Sequence, residues 1–210
     1  MIEQLVLVRH AETAHNVAGI TQGWNDSALT ERGERQIAQL ARRLEAFRPT
    51  ALFSSPLARA LTTARAISEA TGLEVETADE LREMNYGSWE NQSFLEVRRD
   101  QPDAYSRWID DPDFACPGGE SHNHVRERLE RMFGRIATPR PVVVAHGTAN
   151  RIAVTLLLNL SVLASRHFAQ DNAAVNLFSR RADRWILKLW NDTSHCRDEA
   201  PANVPATEPR

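Results

Sequence analysis

Three apolar segments of the sequence lead into basic side chains. Residues 5–8 run directly into Arg9 and His10, and the run "PVVVA" ends on His146. A third run, "TALF", leads through "SSPLAR" to Arg59. Guanidinium groups form planar forks that match phosphate oxygens, and a neutral imidazole keeps a lone pair that can attack phosphorus. These residue types therefore indicate phosphoryl chemistry, if the fold brings them together.

Such a site also needs an acid, because the leaving alkoxide of a phosphomonoester must take up a proton. The irregular segment "LREMNYGSWE" contains two candidates, Glu83 and Glu90. The residues themselves do not choose between these two carboxylates.

The elements that must position these side chains alternate between strands and helices. This alternation predicts an α/β fold, with a mostly parallel central sheet and helices on both faces. In such sheets, sites form beyond the carboxyl ends of the strands. The basic residues should therefore meet at one edge, together with two helix N-termini that add N–H donors and partial positive charge. The predicted strands cover residues 5–8, 50–55, 73–77, 141–146, 174–180 and 184–190.

Cap signals set the predicted ends of the helices. After a polar loop, Thr30 is the predicted N-cap of the first helix, and Ser121 caps a later long helix. Ser55 and Pro56 are predicted as N-cap and first position of the helix that carries Arg59. Gly72 is predicted to end that helix.

Two regions depart from this alternation. Residues 80–119 are predicted to form a small irregular and helical insertion over the carboxyl edge, with short helices at 94–100 and 103–109. Residues 1–196 are predicted to form a single domain. The Pro- and Ala-rich segment 197–210 is predicted to be a disordered tail.

Composition narrows the expected partners and location. The chain has 210 residues and a net charge of -3, which disfavours a nucleic-acid binder driven by bulk charge. No apolar run approaches the ~20 residues that span a bilayer, and the N-terminus does not resemble a signal segment. Cys116 and Cys196 lack metal-ligand spacing and favour a reducing compartment. We expect a cytoplasmic protein that binds a small phosphorylated metabolite, and neither nucleic acid nor membrane; a homodimer stays open.

The remaining histidines do not form an expected metal site. His122 and His124 form an H-x-H pair at a helix start, but no third ligand is evident in the sequence. His15, His167 and His195 are expected to be structural or solvated.

Taken together, the motifs resemble those of the histidine phosphatase superfamily, also called the phosphoglycerate-mutase-like family. The resemblance covers roughly residues 5–195, with six motifs in the family's order. These motifs are "VRHAETAHN", "ITQGWNDSALTERG", "FSSPLARALTTA", "LREMNYGSWEN", "CPGGES" and "VVVAHGTANR".

The resemblance implies a mechanism without a metal or other cofactor. His10 would be the nucleophile and carry a transient phosphohistidine. Glu83, favoured over Glu90 by the motif alignment, would protonate the leaving group and then activate water. Arg9, Arg59 and His146 would hold the phosphoryl oxygens, and Asn16 would donate a further hydrogen bond to them. The resemblance also implies that Gln22 and Gly23 border the substrate. The last implied site residues are Gly147 and Thr148, at the helix start.

The sequence departs from the family pattern at three positions. Ala11 stands where the family usually has glycine, and Asn91 stands where glycine often follows Trp-Glu. Thr148 occupies a variable position, where its amide is expected to matter more than its hydroxyl. None of these changes removes an implied catalytic side chain.

Three functions are compatible with this resemblance. Mutases of the family usually carry a longer insertion with paired arginines and prolines, which the sequence lacks, so we expect a metal-independent phosphomonoesterase acting on a small organic phosphate. A cofactor-dependent phosphoglycerate mutase is the alternative. A non-catalytic phosphate-binding module is disfavoured because the nucleophile and acid are both present.

The insertion carries Tyr86, Trp89, Phe94, Tyr105 and Trp108, some of which are expected to pack in the core. An aromatic lid there would suit an organic phosphate larger than glycerate, such as a ribazole or sugar phosphate. Arg98, Arg99 and Arg107 could instead meet a carboxylate, although a solvated helix face is favoured for them.

Overall fold

The computed structural model of the chain, which describes residues 2–196, contains a six-stranded sheet. Its strands are β1 (Gln4–Arg9), β2 (Ala51–Ser54), β3 (Val75–Thr77), β4 (Pro141–Ala145), β5 (Val175–Arg181) and β6 (Arg184–Asp192). The strand order is β3-β2-β4-β1-β5-β6. The first four strands in this order are parallel, and β5 and β6 are antiparallel to their neighbours. The predicted α/β class with a mostly parallel sheet is confirmed.

Helices cover both faces of the sheet. They are α1 (Ala14–Ala18), α2 (Glu31–Phe47), α3 (Ala58–Thr71), α4 (Phe94–Asp100), α5 (Pro102–Asp110), α6 (His122–Arg135) and α7 (Gly147–Leu157). Because side chains alternate along a strand, β1 contributes to two cores. Leu5 and Leu7 pack with residues of α6 and α7, whereas Val6 and Val8 pack with residues of α2 and α3. None of the helices between residues 2 and 196 has the length and apolar character needed to cross a membrane.

The register of the parallel strands brings the ends that carry basic residues together. Arg9 of β1 pairs with Ala145 of β4, and Ser54 of β2 pairs with Val144 of the same strand. His10 and His146 therefore leave the sheet at the same edge, one residue beyond their strands. The chain after β2 enters α3, which carries Arg59.

Several helix ends match their predicted caps. Thr30 Oγ1 accepts a hydrogen bond from Gly33 N (3.0 Å), and Ser121 Oγ accepts one from His124 N (3.2 Å). Gly72 ends α3 with a φ of 71°. The short helix α1 was not predicted in the polar loop after β1.

Helix α3 begins later than predicted, at Ala58, so the prediction of Ser55 as N-cap and Pro56 as first position is wrong. Asp26, from a distant loop, takes the capping role. Its carboxylate accepts hydrogen bonds from Ala58 N (2.9 Å) and Arg59 N (3.3 Å).

The segment between β3 and α6 packs through its aromatic residues. Phe94 stacks on Trp108 with centroids 5.3 Å apart, and Trp89 meets Trp108 edge-on at 5.9 Å. Of the aromatic residues that the sequence suggested as a lid, only Tyr86 and Phe94 line the cavity described below. The predicted tail, residues 197–210, lies outside the described residues.

Candidate active site

A cavity of about 860 Å³ lies at the carboxyl ends of β1, β2 and β4. Arg9, His10, Arg59 and Glu83 all line it. His146 is fully buried, and its ring centroid lies 5.2 Å from that of His10. The structure therefore brings together the four basic side chains and one of the two candidate acids.

His10 is held in one tautomer by the backbone. Its side chain is buried, and Nδ1 lies 2.7 Å from the carbonyl oxygen of Ala11. Because a carbonyl oxygen can only accept, Nδ1 carries the proton and Nε2 keeps its lone pair. Ala11, which stands where the resemblance leads us to expect glycine, is itself fully buried, and its N–H donates to Thr63 Oγ1 (3.2 Å).

Arg59 uses part of its guanidinium to hold a loop. Nη1 donates to Asn25 O and Asp26 Oδ1, both at 2.7 Å, and Nη2 donates to Gly23 O at 2.7 Å. Nε is buried and has no hydrogen-bond partner among residues 2–196. The Nε–H is therefore available to a phosphate oxygen.

Arg9 is anchored in a similar way. Its Nη1 donates to Gln170 O, and its buried Nε is without a partner in the described chain. Gly147 packs closely against it, because an added Cβ would lie 3.4 Å from Arg9 Cζ. Burial lowers the pKa of Arg9 to about 10, so the side chain is still cationic at neutral pH.

The loop that Arg59 holds is also tied to Glu90. Gly23 has a φ of +54°, and a Cβ there would fall 2.0 Å from Glu90 Oε1, so only glycine fits. The same oxygen accepts hydrogen bonds from Trp24 N (2.9 Å) and Tyr86 N (3.3 Å). Glu90 thus fixes the loop, whereas Glu83 lines the cavity.

Glu83 sits at the N-terminus of α7. Its Oε1 accepts hydrogen bonds from Met84 N (2.9 Å) and Ala149 N (3.0 Å), and its Oε2 accepts one from Thr148 N (3.1 Å). With two acceptor directions per oxygen, only Oε2 keeps one direction open for a proton. Its backbone is fixed as well, because Arg128 Nη2 donates to Glu83 O (2.9 Å).

His146 is oriented by Ser55. Its Nε2 lies 2.8 Å from Ser55 Oγ, which also accepts a hydrogen bond from Leu57 N (3.3 Å). The other ring nitrogen, Nδ1, is buried and finds no partner among residues 2–196. When Ser55 donates its hydroxyl hydrogen to Nε2, the proton of the neutral ring lies on Nδ1, which is then a donor.

Two amide side chains at the cavity wall have their oxygens occupied. Asn16 Oδ1 accepts hydrogen bonds from Thr13 N (3.1 Å) and Asn172 Nδ2 (3.0 Å). Gln22 Oε1 accepts one from Ser27 Oγ (3.2 Å). Both residues line the cavity, so the amide groups left for a ligand are NH₂ donors, which suit an anion.

The N-termini of α3 and α7 do not contribute to the site as predicted, which was as N–H donors to a bound anion. The first N–H groups of α3 cap onto Asp26, so they are not donors to the cavity and that expectation is wrong. In α7, the Thr148 amide donates to Glu83. The two helix ends therefore position site residues, and the side chains carry the charge.

Burial keeps both histidines neutral. Desolvation, followed by the positive charges of Arg59 and Arg9, holds the pKa of His10 well below its usual range. Desolvation and Arg59 do the same to the pKa of His146. A neutral His10 is the form that can act as a nucleophile.

The arginines that the sequence offered for a carboxylate do not reach the cavity. Arg98, Arg99 and Arg107 are exposed and absent from the described lining. Arg99 pairs with Asp100 at 2.6 Å, and Arg107 lies over the Phe114 ring at 4.4 Å. The three arginines therefore lie on the exposed helix faces that the sequence favoured for them.

His122 and His124 serve different structural purposes. The His122 ring packs on Trp108 with centroids 4.9 Å apart, whereas His124 Nδ1 accepts the Ser121 N–H (3.3 Å) in the cap of α6. Within residues 2–196, no three His, Cys, Asp or Glu side chains are grouped so that they could hold a metal ion.

We expect His122 to make the fold sensitive to acid. Burial, followed by the charges of Arg151 and Arg166, lowers the pKa of His122 to about 4. Between pH 6.5 and 4 the unfolded chain binds a proton at this residue that the folded chain does not, so the free energy of unfolding falls as pH falls. The contribution is about 1.4 kcal/mol per pH unit.

Urea unfolding between pH 7 and 4.5 measures this effect. His122→Gln is expected to reduce the slope of unfolding free energy against pH by about that amount, whatever it does to the stability at pH 7. An unchanged slope in the variant would show that His122 is protonated in the folded state.

Sequence reasoning missed several residues of the site. Arg151 was detectable, because it follows Thr148 by three positions on α7 and shares its helix face. Ser55 was assigned to a helix cap instead of to His146. Gln170 and Asn172 lie in the irregular segment before β5, and no local pattern marks them.

Comparisons with known proteins agree on the family to which this chain is similar. Residues 5–193 match the model of the histidine phosphatase superfamily (branch 1). Phosphoserine phosphatase 1 of Hydrogenobacter thermophilus is 34% identical over 197 residues, covering 91% of this chain and 93% of that protein. A probable phosphoglycerate mutase GpmB of Erwinia tasmaniensis is 31% identical over 207 residues, covering 94% and 96%.

Solved structures agree with the fold. The mycobacterial glucosyl-3-phosphoglycerate phosphatase in complex with VO₃ superposes with a TM-score of 0.82 at 32% identity. The match covers 91% of this chain and 100% of that one.

Proposed function

The chain belongs to branch 1 of the histidine phosphatase superfamily, and on that premise we propose that it is a metal-independent phosphomonoesterase whose His10 is phosphorylated during turnover. The relatives named above include phosphatases and a probable mutase. The choice of phosphatase over mutase rests on the sequence, which lacks the longer insertion with paired arginines and prolines that mutases of the family usually carry.

The observation that carries the proposal is a set of three buried nitrogen atoms around His10: two guanidinium donors and the Nδ1 of His146, which is a donor when Ser55 donates to Nε2. Arg9 Nε, Arg59 Nε and His146 Nδ1 have no hydrogen-bond partner among residues 2–196. An unpaired buried donor costs about 1–3 kcal/mol, and a phosphoryl group supplies acceptor oxygens for all three. Arg9 and Arg59 also supply the positive charge that stabilises the transferring group.

In the first step, His10 Nε2 attacks phosphorus. The N–P bond forms as the ester P–O bond breaks, and the leaving oxygen takes the proton from Glu83 Oε2. In the second step, the Glu83 carboxylate takes a proton from water, whose oxygen attacks phosphorus. The N–P bond breaks, the imidazole regains its lone pair, and inorganic phosphate leaves.

The alternative function is a phosphoglycerate mutase, which the GpmB relative favours. In that reaction the phosphoryl group returns from His10 to a second hydroxyl instead of to water. The two functions share the site and the first step, and they differ in the product.

³¹P NMR of the full chain with 3-phosphoglycerate distinguishes them, with 2,3-bisphosphoglycerate added as primer and excess EDTA present. We expect inorganic phosphate as the main product, at a rate that EDTA does not change. A predominance of 2-phosphoglycerate would identify a mutase. Loss of activity in EDTA with recovery in Mg²⁺ would contradict metal independence, and a lack of turnover of any phosphomonoester would leave a binding module.

A further inference from the structure

The loop before β5 wraps the backbone of the proposed nucleophile. Arg9 N donates to Ala174 O (3.2 Å), and Ala173 N donates to His10 O (3.1 Å). The side chain of Asn172 reaches the same carbonyl, with its Nδ2 at 3.2 Å from His10 O. This loop therefore holds the end of β1 at the point where the chain enters the site.

The side-chain nitrogen of Asn172 also contacts the amide of Asn16. Asn172 Nδ2 lies 3.0 Å from Asn16 Oδ1, which accepts further hydrogen bonds from Thr13 N (3.1 Å) and Thr13 Oγ1 (2.9 Å). Backbone groups fix both amide orientations, because the Thr13 N–H can only donate and the His10 carbonyl can only accept. Asn16 Oδ1 therefore faces the protein, and Asn16 Nδ2 is the half of the amide left for a ligand.

The loop that carries Asn172 is anchored on both sides of that residue. Asp171 N donates to Asn191 Oδ1 (2.6 Å), and Asn191 Nδ2 donates to Asp171 Oδ2 (2.9 Å). Ala173 is fully buried and has a φ of +56°, a conformation that is strained for a residue with a Cβ. Such strain persists only where the surrounding contacts determine the backbone. Here the turn brings the Asn172 side chain and the Ala173 N–H to one carbonyl, that of His10.

We propose that Asn172 is a positioning residue for phosphoryl binding, which holds the Asn16 amide so that its NH₂ group points at the phosphoryl group. This inference rests on the proposed function, because it takes the anion in the cavity to be the transferring phosphoryl group. Both hydrogens of Asn172 Nδ2 are used within the protein, so this side chain has no donor left for the anion itself. An Asn16 amide that turned over would present its oxygen to a phosphoryl oxygen, and the donors on Oδ1 prevent that.

A double-mutant cycle on the binding of inorganic phosphate tests the proposal. Calorimetry gives Kd for the wild type, Asn16→Ala, Asn172→Ala and the double variant. We expect Asn16→Ala to raise Kd about tenfold to a hundredfold, because it removes a donor to an anion. Asn172→Ala should raise Kd about fivefold to tenfold in the wild-type background, since Thr13 still holds Asn16 Oδ1. In the Asn16→Ala background, Asn172→Ala should change Kd by less than about twofold.

The cycle separates positioning from a structural role, because a purely structural loss would weaken phosphate binding equally in both backgrounds. An equal increase in Kd in both backgrounds, or no increase in the wild-type background, would overturn the inference. Asn172→Leu, which is close in size and cannot donate, gives the same cycle if Asn172→Ala does not fold. Asn123→Ala is the matched control and should bind phosphate as the wild type does, because Asn123 Nδ2 donates to Asp113 Oδ1 (2.6 Å) away from the cavity lining.

Turnover of p-nitrophenyl phosphate by the same proteins tests the underlying function separately. We expect kcat/KM to follow phosphate affinity across the cycle, because Asn16 donates to the phosphoryl group and not to the leaving group. Wild-type protein that binds phosphate and hydrolyses no phosphomonoester would overturn the proposed function, whereas the cycle on Kd decides the role of Asn172.

Discussion

Replacing His10 by alanine is expected to reduce phosphate release by about 10⁴-fold or more, because removal of a nucleophile abolishes the covalent route. The His10 ring presents the lone pair of Nε2 for attack, since Nδ1 is held by Ala11 O. The measurement is steady-state release of phosphate from p-nitrophenyl phosphate.

His167→Ala is the matched control, because that histidine is exposed on the short helix Val162–His167. It should hydrolyse the substrate at the wild-type rate. A folded His10→Ala variant that retains a tenth of the wild-type rate would contradict the role given to His10.

Replacing Glu83 by glutamine is expected to slow phosphorylation about 10²–10⁴-fold for an alkyl phosphomonoester. An alkoxide needs a proton as the P–O bond breaks, whereas nitrophenolate leaves without one. The same variant should therefore lose much less with p-nitrophenyl phosphate in this step. Single-turnover experiments separate phosphorylation from dephosphorylation, in which Glu83 acts on water for both substrates.

Two controls isolate this effect. Arg59→Ala should slow both substrates to a similar extent, because Arg59 stabilises phosphoryl charge and not the leaving group. Glu90→Gln should also change the rates with both substrates to a similar extent, because Glu90 acts through the loop that Arg59 holds. A leaving-group dependence in Glu90→Gln but not in Glu83→Gln would mean that the wrong carboxylate was assigned.

The sequence predicted where the strands end and that these ends lie close together, because two general properties of parallel sheets apply here. Buried parallel strands are continuous apolar runs, and parallel strands share a carboxyl edge. Arg9, His10 and His146 could therefore be brought together from the sequence. The position of Arg59 at the same edge could be predicted only because its helix comes directly after β2.

The choice of acid needed more than residue types, because Glu83 and Glu90 lie in one irregular segment. In the structure they separate for a physical reason. Glu83 is held by the N–H groups at the start of α7, whereas Glu90 is held by the loop around Gly23. These contacts join parts of the chain that are far apart in sequence, and local patterns do not report them.

The error at Ser55 has the same origin. A Ser-Pro pair before a helix is a common start signal, but Asp26 reaches the helix from another loop and caps it. Ser55 is then free to contact His146. Tertiary contacts at the site therefore override a local signal that would otherwise be sound.

A covalent phosphoryl group on His10 is the central claim, and rapid-quench trapping tests it most directly. Wild-type protein is mixed with ³²P-labelled phosphomonoester, quenched in base within the first turnover, and digested for mapping. We expect an acid-labile, base-stable label on the peptide that contains His10, which disappears when unlabelled substrate is chased in and is absent from His10→Ala. Label that persists in His10→Ala, or wild-type turnover without any labelled protein, would contradict the account.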